Sequence, residues 1–325
     1  MTTKQQFERL FTNEMNEEEA RAFLIDLYER GESAEDVTAA VEVMRAHSVK
    51  LPLSPELQER AIDIVGTGGD KSGSFNISTT VSLLLASMGR VVAKHGNRSI
   101  TSKSGAADLL EAMGYNLALN VEQQTRMLEE TGFAFIFAMN HHPAMKHIMP
   151  VRRSIPHRTV FNIMGPLTNP TGAHKYLMGV FSPDFIDTMA GVLVNLDAKT
   201  AFVVSSDDGM DEISISAPTQ FAWVNEGQAE RGIIDPREHG LALAPKEAIL
   251  GGEAEENAAI TRAIFANEAH DAQRDIVLLN AAYALFADGH VRDIQEALTM
   301  GREAIESGAA ARHLEAIIAM SNALS

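Results

Sequence analysis

The sequence predicts an α/β protein: a small helical N-terminal domain, residues 1–60, and a larger α/β domain, residues 61–325, with a mainly parallel central sheet covered by helices. Three observations carry this. Helix caps and helical spacing fill the first stretch. Short apolar runs then alternate with longer helical segments, the pattern of a parallel sheet with helical crossovers. From about Glu253 the chain is helical again, with breaks near Gly289 and Gly308.

Taken in order, Asn16 caps a helix that opens with Glu17, Glu18 and Glu19, carboxylates suited to a positive helix N-terminus. Gly31 is placed to end it, and Ser33 with Asp36 forms a capping box for the next. Val37, Ala40, Val41 and Met44 give that second helix one apolar face. Pro52 and Pro55 mark a break. The strand candidates are Ile62–Val65, Val91–Ala93, Ala134–Ala138, Leu177–Phe181 and Ala201–Val204, and a helix is expected from near Thr80 to Met88.

Composition narrows the function. With 325 residues the chain is long enough for about two domains. An apolar fraction of 45% supports a sizeable core. The absence of Cys excludes disulfides, thiolate catalysis and Cys-bound zinc or iron–sulfur clusters. A net charge of −17 argues against nucleic acid and anionic membrane as partners. MTTKQQFERLF lacks the basic and apolar regions of a signal peptide, and the longest apolar runs are too short to span a bilayer, so a cytoplasmic protein is expected.

The charge is unevenly placed. The 37 residues between Asp70 and Asp108 contain no Asp or Glu, nor do the 53 between Glu130 and Asp184. These windows hold ten Lys and Arg, so they carry +10 while the remaining chain carries −27. Keeping carboxylates out of two separated windows points to a polyanionic small ligand. Partial burial of both windows is the plainer alternative.

The first window has the form of a phosphate site. Strand Ile62–Val65 runs into Gly66-Thr67-Gly68-Gly69-Asp70, and a helix follows Asn76-Ile77-Ser78-Thr79. Glycines let backbone N–H groups approach an anion, and a helix N-terminus favours negative charge. The loop is neither a Walker loop nor a dinucleotide fingerprint, because no Gly-Lys-Ser/Thr closes it and Lys71 stands where the third Gly belongs. After the next strand, Lys94-His95-Gly96-Asn97-Arg98-Ser99 and Thr101-Ser102-Lys103-Ser104-Gly105 supply more donors and no carboxylate. Loops after successive parallel strands share a crevice.

DIVGTGGD, FNIST, AKHGNRS and SKSG resemble the anthranilate phosphoribosyltransferase family of tryptophan biosynthesis. HHPAMKH, VRR, RTVFN, GPLTNP and DGMDE extend the resemblance in the same order, over about residues 15–325. It implies transfer of phosphoribose from phosphoribosyl pyrophosphate (PRPP) to the amine of anthranilate, releasing pyrophosphate, the second step from chorismate to tryptophan. It implies PRPP contacts from Gly66, Gly69, Asp70, Ser74, Asn76, Ile77, Ser78 and Thr79. Further PRPP contacts would come from Lys94, His95, Gly96, Asn97, Arg98, Ser99, Ile100, Thr101 and Ser102. Anthranilate would meet Gly66, Asn97, His142, Met145 and Arg152, the last pairing its guanidinium with the carboxylate.

Two departures stand out. Ala106 occupies the place of a family Ser that contacts substrate, so that PRPP position lacks a hydroxyl. Ile155-Pro156 replaces a usual Leu-Gly, so a different local turn is expected.

On its own, Asp207-Asp208-Gly209-Met210-Asp211-Glu212 reads most plainly as a solvated acidic turn. The resemblance makes Asp211 and Glu212, with the Ser78 hydroxyl, ligands of Mg²⁺, two ions per subunit, which a diphosphate would help to hold. It also implies a homodimer, and a segment near 145–172 that joins the helical domain. No catalytic nucleophile or general base is assigned, since an aromatic amine is unprotonated at neutral pH. HHPAMKH lacks the Glu of a zinc-protease motif. The alternatives are a nucleoside phosphorylase of the same fold and a non-catalytic nucleic-acid-binding relative.

Overall fold

The structure is a computed structural model that describes residues 1–99 and 103–324. Helices α1 (Thr3–Phe11), α2 (Glu17–Arg30), α3 (Ala34–Ala46) and α4 (Pro55–Arg60) precede strand β1 (Ala61–Gly66). The boundaries follow local chemistry. Asn16 and Ser33 each close a capping box, with Glu19 and Asp36, and Gly31 ends α2 at φ 78°.

Helix α5 (Ile77–Ser87) leads to β2 (Val91–Gly96), and α6 (Ala106–Ala112) and α7 (Val121–Thr131) lead to β3 (Phe133–Phe137). Next come α8 (Ala138–His141), α9 (Met145–Ser154), α10 (Phe161–Met164) and β4 (Lys175–Gly179). Helix α11 (Ile186–Asn195) precedes β5 (Thr200–Ser206), β6 (Thr219–Asn225) and β7 (Gln228–Ile234). The chain finishes in α12 (Ala254–Phe265), α13 (Asp271–Ala287), α14 (Ile294–Glu306) and α15 (Ala309–Ala323).

Among the described residues the sheet has seven strands in the order β3-β2-β1-β4-β5-β6-β7. Strands β1 to β5 pair in parallel, whereas β6 and β7 are antiparallel. The expected parallel sheet is present, and each expected strand lies at its place within a few residues. The antiparallel pair β6–β7 has no counterpart among the expected strands. Its turn, Glu226-Gly227, has positive φ at both residues, which suits the twist of a hairpin. Helix α5 begins at Ile77, three residues before the expected Thr80.

Strand order reverses between β1 and β4, so the crevice beyond their C-terminal ends is the place where such sheets bind ligands. One sheet face packs on α5 and α13. On the other, Tyr176, Met178, Ala201 and Val203 share a continuous core with Phe7, Leu24, Val41 and the α11 side chains. Ile148, Val151, Phe161 and Met164 join that core, so residues 145–164 pack onto α1–α3. No helix among the described residues is long and apolar enough to cross a membrane.

Candidate active site

The loop after β1 is shaped by left-handed backbone. Gly68, Gly69, Lys71 and Gly73 all have φ between 58° and 80°. Gly66 and Gly179 serve a different need, the close approach of Asp211. A Cβ on Gly66 would lie 2.4 Å from Asp211 Oδ2, and one on Gly179 would lie 1.5 Å from the Asp211 carbonyl oxygen. Glycine at the ends of β1 and β4 therefore lets the acidic loop after β5 reach across the sheet edge. There the Gly68 N–H donates to Asp211 Oδ2 at 2.7 Å.

Helix α5 points its first turn at the same place. The Ser78 backbone N–H faces the Glu212 carboxylate. The Thr79 hydroxyl is buried with no hydrogen-bond partner among the described residues. Ile77 is buried in the core, so only its backbone faces the crevice. Asn76 is the N-cap residue, yet its side chain caps nothing. It bonds instead to Ser104 and Asn257. Asp70 accepts from the Ser72 N–H, and the Ser72 hydroxyl donates to the Ser74 hydroxyl at 3.1 Å.

The second loop uses Lys94 and Arg98 internally, while Lys103 is exposed. Lys94 is buried, and Nζ donates to the Ile64 carbonyl oxygen at 2.7 Å and to Ser78 Oγ at 3.3 Å. Burial lowers its pKa, while Asp63, Glu212 and Asp211 oppose that effect. Arg98 forks between Asp108 and Glu111. Asp108 also accepts from the Ser99 and Gly105 N–H groups, which ties the loop's two ends together. Asn97 is exposed, and its Oδ1 accepts from the Arg98 N–H. Ala106 opens α6 and packs beside Gly96. Ile100, Thr101 and Ser102 lie outside the described residues.

His95 and His142 meet edge to face with their Nε2 atoms 3.2 Å apart. Burial holds both rings neutral; it lowers His142 to about 4 and His95 well below the ordinary value. Met145 opens α9, half-buried, and Arg152 lies in its last turn. Arg152 is held over the Phe161 ring at 4.9 Å and has no carboxylate partner among the described residues. Burial alone lowers its pKa, to about 10. Arg158, from the same window, pairs bidentately with the buried Glu32, between α2 and α3. At the departure from the family, α9 ends, Ile155 is buried in extended backbone, and His157 stacks on Tyr28.

Only the first half of the acidic loop is a solvated turn, with Asp207 and Gly209 exposed. Asp211 is buried, and burial with the neighbouring Asp70 raises its pKa to about 7. Glu212 is pushed well above its usual range by burial and by Asp211. Crowded carboxylates beside a Ser hydroxyl fit a hard divalent cation, which would relieve their repulsion. Among the described residues no cluster of three or more His, Asp or Glu would hold an ion unaided, so oxygens from a diphosphate and water would complete its shell.

Sequence reasoning missed the buried polar groups beneath these loops. Asp63 is fully buried in β1, with Oδ1 accepting from the His95 N–H and Oδ2 from Asn169 Nδ2. Asn169 Nδ2 also reaches the Ala93 carbonyl, so it joins β1, β2 and the 165–172 segment. An Asp inside an otherwise apolar strand was the available signal.

Residues 58–311 match the glycosyl transferase family a/b domain model. The anthranilate phosphoribosyltransferase of Rhodopseudomonas palustris (strain BisA53) is 41% identical over 316 residues, 97% of this chain and 92% of that protein. That of Rubrobacter xylanophilus is 42% identical over 307 residues, 94% and 89% of the two chains. The crystal structure of the Thermus thermophilus enzyme is 38% identical and superposes with a TM-score of 0.92, covering 98% of this chain and 94% of that one. The fold is shared by the Saccharomyces cerevisiae enzyme in complex with PRPP and Mg, 24% identical, TM-score 0.88, covering 99% and 94%.

Proposed function

The chain belongs to the anthranilate phosphoribosyltransferase family, and from that premise we propose that it transfers the phosphoribosyl group of PRPP to the amine of anthranilate. The products are N-(5-phosphoribosyl)anthranilate and pyrophosphate, the second step from chorismate to tryptophan. One observation carries the reading: the glycine loop and the first turn of α5 converge with Asp211 and Glu212 at the C-terminal edge of the sheet.

PRPP lies along residues 66–79 and 94–106, with backbone N–H groups and hydroxyls as donors. Gly69, Asp70, Ser74, Ser78, Thr79, Asn97 and Ser99 face it; Asn76, Lys94 and Arg98 support it through bonds to the protein. Ser78, Asp211 and Glu212 would hold Mg²⁺, two ions per subunit, and the metal would supply positive charge to the departing pyrophosphate. Arg152 takes the anthranilate carboxylate and His142 and Met145 line its approach.

The amine attacks the ribose carbon as pyrophosphate leaves, and its surplus proton is lost after the C–N bond forms. The amine is already neutral, so catalysis rests on positioning and on stabilising the leaving group. His95 and His142, both neutral, add no positive charge beside the crevice.

Residues 1–60 with 145–172 form the helical domain, the protein is a cytoplasmic homodimer, and neither nucleic acid nor membrane is a partner. Purified protein should remove anthranilate fluorescence when PRPP is added, and only with Mg²⁺ present. Absence of turnover with both substrates overturns the assignment; phosphorolysis of a nucleoside instead would make the chain a phosphorylase.

A further inference from the structure

The segment before α12 lies directly on the phosphate loop. The Gly251 N–H donates to the Gly73 carbonyl at 2.9 Å, and the Phe75 N–H donates to the Ile249 carbonyl at 3.2 Å. Between them Ser74 bridges Leu250 in antiparallel fashion. The approach is too close for a side chain, since a Cβ on Gly251 would lie 2.5 Å from Phe75 Cα and 2.5 Å from Asn257 Oδ1.

Asn257, in the first turn of α12 and 2% exposed, joins this segment to the crevice. Its Oδ1 accepts from the Gly252 N–H at 2.8 Å, and its Nδ2 donates to Asn76 Oδ1 at 2.9 Å. Asn76 Oδ1 also accepts from the Ser104 hydroxyl, and Asn76 Nδ2 donates to the Ser104 carbonyl. Backbone groups fix both amide orientations: the Gly252 N–H needs an oxygen, and the Ser104 carbonyl needs an N–H donor. One turn further on, the Thr261 hydroxyl bonds to that of Thr80 in α5 at 2.8 Å.

We infer that Asn257 is a positioning residue for PRPP. Through Asn76 it sets the start of α5 against the Ser104–Gly105 end of the second loop, so that two loops distant in sequence present one anion-binding surface. It touches no substrate. This inference rests on the proposed PRPP site, and its test is built to fail separately from that reading.

Asn257→Asp keeps the acceptor for Gly252 and replaces the Nδ2 donor by a second oxygen facing Asn76 Oδ1. It should raise the KM for PRPP about tenfold, the scale of one lost buried hydrogen bond. The KM for anthranilate should stay nearly unchanged, while the melting temperature should fall because a buried carboxylate oxygen then faces another acceptor. Asn257→Gln, which retains the amide, should recover part of the PRPP effect. Amide hydrogen exchange should quicken most at residues 68–76 and 103–105 in Asn257→Asp, a readout that needs no turnover. Unchanged PRPP kinetics with unchanged exchange in those segments overturns the inference. So does an equal rise in both KM values. A wild-type protein without turnover refutes the proposed reaction, and the exchange experiment still decides the role of Asn257.

Discussion

Residues 71–107 and residues 131–183 look alike in sequence, each free of carboxylates and each holding five cations, yet they treat their charges differently. In the first, Lys94 bonds to the Ile64 carbonyl and Arg98 forks between Asp108 and Glu111. In the second, Arg158 pairs with Glu32, but Arg152 lies over Phe161 without a carboxylate among the described residues. Arg90 and Lys175 belong to neither side of the crevice, since they meet Asp288 where β2 and β4 begin. The first window therefore offers an anion backbone N–H groups and hydroxyls beside the exposed Lys71 and Lys103, and the second offers a guanidinium held in place. A phosphate suits many fixed donors, whereas a single planar carboxylate suits one fork.

The largest break on the phosphate side is at Gly179. Its substitution by Ala places a Cβ 1.5 Å from the Asp211 carbonyl, so the acidic loop must move. Since a 1 Å misplacement costs about 10²-fold, Gly179→Ala should lose about 10³-fold or more in kcat/KM. Steady-state kinetics on protein with unchanged circular dichroism checks this; activity within tenfold of wild type means the loop does not need that approach. On the other side, Arg152→Ala should lower kcat/KM for anthranilate about 10- to 100-fold, the range for a hydrogen bond to a charged group. The KM for PRPP should move less than about twofold, because the proposed PRPP site lies in the other window. Equal effects on both substrates would erase the contrast.

The two sides also differed in how well the sequence disclosed them. Glycines, helix caps and alternating apolar runs report local backbone, so the parallel strands and the left-handed turn of the glycine loop were legible. The hairpin β6–β7 was not, because its outward-facing residues, such as Glu230 and Arg231, dilute the apolar pattern. Charge counting placed Lys94, Arg98, Arg90 and Lys175 in one positive site. Their partners Ile64, Glu111 and Asp288 are set by tertiary contacts that a sequence pattern does not report. For the same reason Asn257 and Asn169, which contact residues 181 and 106 positions away, were invisible until the chain was folded.

The aromatic-acid side should show itself in pH dependence. His95 and His142 are neutral when folded, with His142 lowered to about 4 by burial and by the nearby His141 and Lys50. The unfolded chain takes up protons near pH 6.5, where the folded chain does not. Stability from this pair is thus complete above that pH and is lost as pH falls toward 4. For His142 the loss between pH 7 and pH 5 is about 2 kcal/mol. Urea unfolding at the two pH values should show a smaller drop in His142→Gln than in wild type. An identical drop would mean that the ring is not held neutral.

Ala106→Ser makes the finest cut between the two sides. Ala106 opens α6 beside Gly96, where a Cβ on Gly96 would come within 3.3 Å of the Ala106 Cβ. A hydroxyl on that carbon adds one donor at the mouth of the second loop, where Asp108 already fixes Ser99 and Gly105. Because Ser99 and Gly105 are already held by Asp108, the new donor needs no rearrangement there, and the KM for PRPP should fall about threefold, the lower range for one hydrogen bond. The KM for anthranilate should not change. A lower anthranilate KM instead would place position 106 on the aromatic-acid side, and the boundary between the two regions would then fall before α6 rather than after it.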